Sequence, residues 1–194
     1  MKKVVLIAIS VISVVVLLGG PALAQEKKPF YFLGKAGIYS PQTNDLDGFD
    51  TGFNGEIALG WRPHANFAAE VGAGYFNTEA SDFGGRINLD VVPITLTLKG
   101  ILPYQKWDFF ALGGVGAYFV SGDIDFLGFD SYDSDAVFGG FLGLGIHYNI
   151  TKAMFIGVEG KYLWTDRAEL KEDFFRAKFK LDGIITNAVF GFKF

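Results

Sequence analysis

Histidine is the residue of this chain best suited to activate a nucleophile, and it occurs only twice, as His64 and His147. A serine hydroxyl attacks an ester when an adjacent base takes its proton. The stretch GIHYNI around His147 contains no serine, and His64 lies in a predicted turn. The local sequence therefore predicts no hydrolytic Ser–His pair, although a serine far along the chain could still approach His147. We interpret His147 as an inward polar residue near a turn and expect no enzymatic activity.

Five aspartates lie close together in DIDFLGFDSYDSD and offer the oxygen ligands that Ca²⁺ prefers. They are Asp123, Asp125, Asp130, Asp133 and Asp135. The segment lacks the regular ligand spacing and the closing glutamate of an EF-hand loop. An acidic, solvated loop is the favoured interpretation, with a calcium site as the alternative. The sequence predicts no cofactor.

Eight other charged residues stand within stretches in which large apolar residues alternate with small ones. Successive side chains of a β-strand point to opposite faces, so this period predicts strands with one apolar face and one face of glycine, alanine and charges. The charges on that second face are Lys35, Glu56, Arg62, Glu70, Lys99, Asp108, Glu159 and Lys161. Because both signs are equally represented, we expect ion pairs there, such as Glu56 with Lys35 and Lys161 with Glu159 or Glu70.

Eight such stretches follow one another, the last of them from about Phe179 to Phe194. The first, third, fifth and seventh are followed by long polar links, PQTNDLDGFD, NTEASDFGGR, SGDIDFLGFDSYDS and TDRAELKEDFFRAK. The others are joined by a few residues around RPHA, ILPYQ and NITK. Upstream of Val91 the alternation slips, which indicates either a bulge or a strand that rises out of the apolar zone. The pattern predicts an all-β fold, an eight-stranded antiparallel up-and-down transmembrane β-barrel.

A secreted soluble β-sandwich or lipocalin-like barrel is the rival fold, because its strands alternate in the same way with the apolar face turned inward. Residue size favours the membrane barrel. Glycine and alanine beside a few charges fit a narrow eight-stranded interior and make a poor solvent-exposed face. Aromatic residues also gather at both strand ends, as in girdles at two membrane interfaces. They are Trp61, Phe67, Trp107, Phe109 and Tyr148 by the short links, and Tyr75, Phe119, Phe138, Tyr162 and Trp164 by the long ones.

Residues 1–24 have the features of a secretory signal peptide. Lys2 and Lys3 precede an uncharged apolar run, and Ala22 and Ala24 form an A-x-A cleavage pattern. The run is shorter than the roughly 20 residues that span a bilayer, which argues against a membrane anchor. The mature barrel domain is therefore predicted as residues 25–194. The formal net charge of −4 leaves no basic surface for nucleic acid, so no nucleic-acid partner is expected.

The stretches VVPITLTLKG and WDFFALGGVGAYF and the closing AVFGFKF resemble the small outer-membrane β-barrel superfamily that includes OmpA-type, OmpX-type and opacity-protein-like barrels. The resemblance covers Phe30 to Phe194. It implies a Gram-negative outer membrane, with outer-membrane lipid around the barrel. It further implies that Phe190, Phe192 and Phe194 form a signal for the outer-membrane assembly machinery. OmpA itself carries a periplasmic peptidoglycan-binding domain after its barrel, and no such tether is expected after Phe194.

Three classes of function are consistent with such a barrel. The favoured one is a structural or surface-interaction role, in which long external loops contact an extracellular ligand or a host surface, as the resemblance to opacity-type proteins suggests. A narrow porin-like channel for small solutes or ions is the first alternative, and a lipid-modifying outer-membrane enzyme is the second. Eight strands enclose an interior that side chains just fill. We therefore expect ion pairs in the interior to block a continuous water path.

The signal-peptide interpretation predicts processing after Ala24, because export enzymes cut after the second small residue of an A-x-A pattern. Mass measurement of the exported protein should find Gln25 at its amino terminus. An intact Met1 terminus on protein recovered from the membrane would contradict this prediction.

Overall fold

The computed structural model of the chain describes residues 28–42, 50–82, 85–126, 129–166, 168–171 and 176–194. The strands within these ranges are β1 (Phe30–Pro41), β2 (Gly52–His64), β3 (Phe67–Asp82), β4 (Gly85–Tyr104), β5 (Trp107–Phe126), β6 (Phe129–Asn149), β7 (Met154–Thr165), β8 (Ala168–Lys171), β9 (Arg176–Phe179) and β10 (Gly183–Lys193). No helix in the described ranges is long and apolar enough to cross a membrane. Residues 1–24 lie outside these ranges, so the signal peptide stays a prediction.

Eight of these strands form one closed barrel in the order β1-β10-β7-β6-β5-β4-β3-β2, and β8 pairs with β9 in a separate two-stranded hairpin. Every pair is antiparallel. The ring closes where β1 pairs with β10, from Tyr31 opposite Lys193 to Pro41 opposite Gly183. A closed ring leaves no row of unpaired backbone groups at a sheet edge. The predicted eight-stranded up-and-down barrel is confirmed.

The apolar face of the sheet points outward. Along β10, exposed and buried residues alternate at every position from Gly183 to Phe192. Large aliphatic side chains are widely exposed on the outer surface, with Ile57 at 59% and Leu144 at 70%. The predicted aromatic girdles also lie on this surface, and the rings of Trp107 and Tyr148 are 4.6 Å apart in one of them. An apolar belt between aromatic girdles is typical of a barrel in hydrocarbon, so the soluble sandwich or lipocalin-like alternative is wrong.

The two ends of the barrel differ. Short turns at residues 65–66, 105–106 and 150–153 lie at one end, which we call the turn end. The β3–β4 and β5–β6 pairs project from the other, which we call the hairpin end. There the strands stay paired as far as Asp82 opposite Gly85 and Phe126 opposite Phe129.

The prediction of long loops at the hairpin end is therefore wrong in part. NTEASDFGGR and SGDIDFLGFDSYDS are mostly paired strand, and TDRAELKEDFFRAK contains the β8–β9 hairpin. The last barrel strand begins at Gly183, not near Phe179. Beyond the apolar belt the outer face of a strand meets water, so its apolar residues give way to polar ones while backbone pairing continues. Residues 43–49 of the first link lie outside the described residues.

The slip in alternation upstream of Val91 comes from a strand that rises out of the apolar zone. The β4–β5 register is regular through this region, and Leu89 and Val91 are both buried in the interior. Asp90 between them points outward, where Tyr75 Oη donates a 2.5 Å hydrogen bond to its carboxylate. A polar residue on the outer face replaces the expected apolar one at this height. A register shift occurs instead near the turn end, between Trp61 and His64, where β2 pairs with β3.

Phe194 lies at the seam that closes the barrel. Its backbone N donates a 2.9 Å hydrogen bond to Phe30 O, and its ring stacks on the Phe30 ring with centroids 6.3 Å apart. Phe109 provides a matched comparison, because it faces outward in the girdle near the turn end with similar exposure. The two rings differ in their position relative to the chain terminus.

Replacing Phe194 with Ala should lower the amount of folded barrel in the outer membrane severalfold, while Phe109→Ala should lower it little. Both substitutions remove one lipid-facing ring, but only Phe194 belongs to the implied assembly signal. Heat-modifiable electrophoretic mobility of isolated membranes measures the folded fraction. Equal yields of the two variants would leave only a lipid-facing role for Phe194.

Candidate functional site: the charged interior of the barrel

Strand register brings six of the eight predicted charged residues to one height inside the barrel. Lys35 in β1 lies directly opposite Glu56 in β2, and Glu70 in β3 lies opposite Thr97 in β4. Glu159 and Lys161 enter from β7, next to β10. Each of these positions points inward because it alternates with an outward apolar neighbour. Residues that are distant in sequence therefore meet across a narrow interior.

Lys35 is the centre of the resulting network. Its ammonium nitrogen lies 2.7 Å from Glu159 Oε1, 2.9 Å from Glu56 Oε1 and 3.7 Å from Glu70 Oε2. Three carboxylates from three strands thus surround one cation. Hydrogen bonds between ionised groups are about twice as strong as neutral ones, which favours this arrangement once the groups are removed from water.

Two further lysines balance the three carboxylates. Lys99 Nζ lies 2.7 Å from Glu70 and 3.5 Å from Glu159, and Lys161 Nζ lies 2.8 Å from Glu56. None of the six network residues, Lys35, Lys99, Lys161, Glu56, Glu70 and Glu159, is more than 6% exposed. Removing one member of such a network would leave an uncompensated buried charge, at a cost of about 3–5 kcal/mol.

Arg62 and Asp108 form a second charged unit, nearer the turn end. The Arg62 guanidinium donates to both carboxylate oxygens of Asp108, at 2.9 and 3.2 Å, and to Ala65 O at 2.6 Å. Asn149 Nδ2 donates a 3.0 Å hydrogen bond to the same carboxylate. A bidentate pair of this kind holds the strands of the short turns in a defined arrangement.

Two apolar layers enclose the Lys–Glu network. The hairpin-end cap contains Tyr39, Phe76, Tyr118 and Leu181, and the turn-end cap contains Tyr31, Phe110, His147 and Phe155. In the first cap, the tilted rings of Tyr39 and Phe76 pack with centroids 4.6 Å apart, and Tyr39 Oη donates a hydrogen bond to Leu181 O at 3.1 Å. In the second, the His147 ring lies 4.5 Å from Phe110 and 4.7 Å from Phe155. The charges are thus sealed from both ends.

Glycines make room for the rings of the turn-end cap. A Cβ on Gly60 would lie 2.1 Å from the Tyr31 ring, and one on Gly191 would lie 2.0 Å from the Phe155 ring. Tyr31 also joins the cap to the network, because its hydroxyl donates a 2.7 Å hydrogen bond to Glu70. Beside this cap a cavity of about 20 Å³ borders His147 and has room for about one water molecule.

All eight charged residues predicted from alternation are buried inside the barrel, and Lys35 Nζ lies 2.9 Å from Glu56 Oε1. Lys161 pairs with Glu56, whereas the expectation gave it Glu159 or Glu70. Sequence reasoning missed Tyr31 and the hydrogen bond of 2.7 Å between Asn54 and Asn187. The alternation of the sequence does place these residues inward, because Tyr31, Asn54 and Asn187 share the phase of the inward charges. Uncharged polar residues are less conspicuous than charges in an apolar stretch.

Each of the two histidines contacts residues of the fold: His64 lies in a turn, and His147 packs in the turn-end cap. His64 Nδ1 accepts a 3.2 Å hydrogen bond from Asn66 N in a turn. The buried His147 Nε2 has no hydrogen-bond partner among the described residues. In the same part of the chain, no group of three or more His, Cys, Asp or Glu side chains is placed to hold a metal. The aspartate side chains between residues 122 and 135, on which the calcium alternative rests, lie outside the described residues.

Comparison with known proteins agrees with this architecture. No curated protein sequence matches the chain. Among solved structures, Neisserial surface protein A is similar at 17% identity and a TM-score of 0.57, over 86% of this chain and 97% of that one. A major outer membrane protein from Thermus thermophilus has 15% identity and a TM-score of 0.62, over 87% and 100% of the two chains. OprG from Pseudomonas aeruginosa has the same identity and TM-score, over 89% and 99%.

At these identities the structural likeness shows the fold alone. The family model described as outer membrane protein beta-barrel domain matches residues 10–192, which is nearly the whole chain. The protein is therefore located in the outer membrane, and it belongs to the outer membrane protein β-barrel domain family.

Proposed function

We propose that the protein is a closed barrel with a structural or surface-interaction role, which acts through its hairpin end and neither conducts ions steadily nor catalyses a reaction. One observation carries this proposal. The Lys–Glu network fills the interior at mid-height with balanced charge, and an apolar cap lies on each side of it. A continuous water path would have to pass all three layers.

The hairpin end is the part of the molecule best placed for contacts with other molecules. In barrels of this class the short turns face the periplasm and the longer connections face outside, so the turn end is periplasmic and the hairpin end extracellular. The paired β3–β4 and β5–β6 extensions project beyond the apolar belt. Paired strands lose less conformational entropy on binding than open loops do, which suits them to present a defined surface to a partner.

A narrow channel is the second candidate, and the polar interior favours it. Lys35, Lys99 and Lys161 line the same height as three glutamates, and a charged constriction is a common basis of ion selectivity. Such a channel would require both caps and the ion pairs to rearrange. A lipid-modifying enzyme would need a nucleophile activated by His147, whose ring instead packs against Phe110 and Phe155.

Single-channel recording in a planar bilayer tests the closed-barrel proposal. The wild-type protein should show little steady conductance. Glu56→Ala or Lys161→Ala should raise it, because the unpaired charge left behind draws water into the layer. The increase should be larger when Glu56→Ala is combined with Tyr39→Ala, which opens the hairpin-end cap.

Glu79→Ala serves as the control, since Glu79 is an exposed carboxylate outside the interior. It should leave the recording unchanged. Steady conductance by the wild-type protein, with no response to Glu56→Ala or Lys161→Ala, would favour the channel instead.

Replacing Lys35 with Met should lower the free energy of unfolding by about 3–5 kcal/mol, because three carboxylates lose their shared cation in a water-poor interior. Lys152→Met at an exposed turn should change it by no more than about 0.5 kcal/mol. Urea titration of the barrel in zwitterionic lipid vesicles measures both values. Similar effects of the two substitutions would show that the network contributes little to stability.

A further inference from the structure

Four lysines surround a shallow pocket of about 620 Å³ at the turn end. They are Lys28, Lys106, Lys152 and Lys193. The remaining residues of the pocket are polar or apolar, and none of the described residues that line it is acidic. The nearby Asp108 carboxylate is already bound by Arg62. The described lining of the pocket therefore carries an excess of positive charge.

Hydrogen bonds hold the two turns that form this pocket in place. Asn149 donates from its backbone N to Lys106 O at 2.8 Å and from Nδ2 to the same oxygen at 3.1 Å, which ties the β6–β7 turn to the β4–β5 turn. Asn149 Oδ1 accepts a 2.9 Å hydrogen bond from Lys193 Nζ. Gln105 has a φ of 55°, which allows the tight two-residue turn that places Lys106. The site is thus preformed, which lowers the entropic cost of binding.

Two of these lysines, Lys28 and Lys106, stand at the edge of the lipid-facing surface. Lys106 Nζ lies 5.9 Å from the centre of the Tyr148 ring, and Lys28 Nζ lies 5.8 Å from the centre of the Phe192 ring. Both rings belong to the outward face near the turn end. Aromatic girdles mark the level of the lipid headgroups, so ammonium groups placed over their rings lie at the level of the lipid phosphates.

We propose that this lysine pocket binds the phosphate headgroup of an anionic phospholipid from the periplasmic leaflet of the outer membrane. Lysine donates to phosphate oxygens as a compact cation, and basic residues at a membrane surface attract anionic lipid. The exposed Ile150 side chain also lines the pocket and offers an apolar contact to a bound lipid. A soluble anion would gain nothing from this side chain or from the neighbouring girdle.

The hairpin end has the opposite charge among its described side chains. Carboxylates there include Asp50, Glu79, Asp90, Asp166 and Asp182. Anionic lipid should therefore gather at one end of the barrel and not at the other. The formal net charge of the whole chain is −4, so the protein as a whole should repel anionic lipid. Enrichment of anionic lipid at the turn end alone would therefore indicate a specific site.

Trp107, next to Lys106, provides a reporter of lipid identity. A background with Trp61→Phe and Trp164→Phe keeps Trp107 as the only indole, and the reciprocal background with Trp61→Phe and Trp107→Phe keeps Trp164 near the hairpin end. The barrel is placed in phosphatidylcholine vesicles with a minor fraction of phosphatidylglycerol. In one sample the phosphatidylglycerol carries brominated acyl chains, and in a second sample the phosphatidylcholine does. Bromine quenches the fluorescence of a neighbouring indole.

Phosphatidylglycerol should be enriched roughly fivefold over phosphatidylcholine beside Trp107 and not beside Trp164. Lys106→Gln combined with Lys152→Gln should abolish the enrichment, while Lys180→Gln near the hairpin end should preserve it. Heat-modifiable mobility confirms that each variant is folded. Inorganic phosphate should displace the lipid no better than chloride at equal ionic strength.

Three results would overturn the proposal. Equal quenching by the two lipids beside Trp107 would show that no site exists. Enrichment at both tryptophans, or enrichment that survives loss of Lys106 and Lys152, would indicate general attraction. Displacement by phosphate but not by chloride would assign the pocket to a soluble anion.

Discussion

The absence of water from the hydrocarbon core is the constraint on which the rest of this structure depends. Every backbone N–H and C=O at that depth needs a partner within the protein, so the sheet must close on itself. With eight strands, closure leaves an interior only as wide as the side chains that fill it. Any charge placed there is almost dehydrated and needs an opposite charge within reach. Lys35 is paired with carboxylates because an eight-stranded barrel leaves too little room for the water that would otherwise solvate its charge.

The same constraint explains which parts of the fold were predictable from sequence. Within the apolar belt the two faces of a strand meet lipid and interior, and the contrast between Ile57 and Glu56 shows in the sequence. Above the belt the outer face meets water, so the continuation of β5 and β6 to Phe126 and Phe129 lacks the apolar outer residues by which the strands were recognised. Asp90 shows the transition within a single strand, because its backbone stays regular while its outward side chain turns polar.

Residues of the interior were predictable as a set, and their partners were not. Alternation assigns Glu56, Glu159 and Lys161 to the inward face, but the pairs depend on the stagger of strands far apart in sequence. Lys161 meets Glu56 across 105 residues, and Lys35 meets Glu159 across 124. The caps were missed for another reason. Tyr39, Phe76 and Tyr118 are aromatic, and aromatic residues were expected mainly at the lipid interface, whereas these lie inward.

Buried ion pairs seldom stabilise a fold more than apolar residues of the same shape would, so their contribution here needs another explanation. Strand register provides one. A slip by one residue turns every side chain of a strand to the opposite face. For β1 that slip would move Lys35 into lipid, which costs about 2–4 kcal/mol near the bilayer centre. It would also leave Glu56 and Glu159 without the Lys35 cation. An apolar interior would tolerate the slip far better, because apolar side chains also suit lipid. The charges thus make the wrong registers costly, and the closed barrel has one arrangement in which all of them are paired.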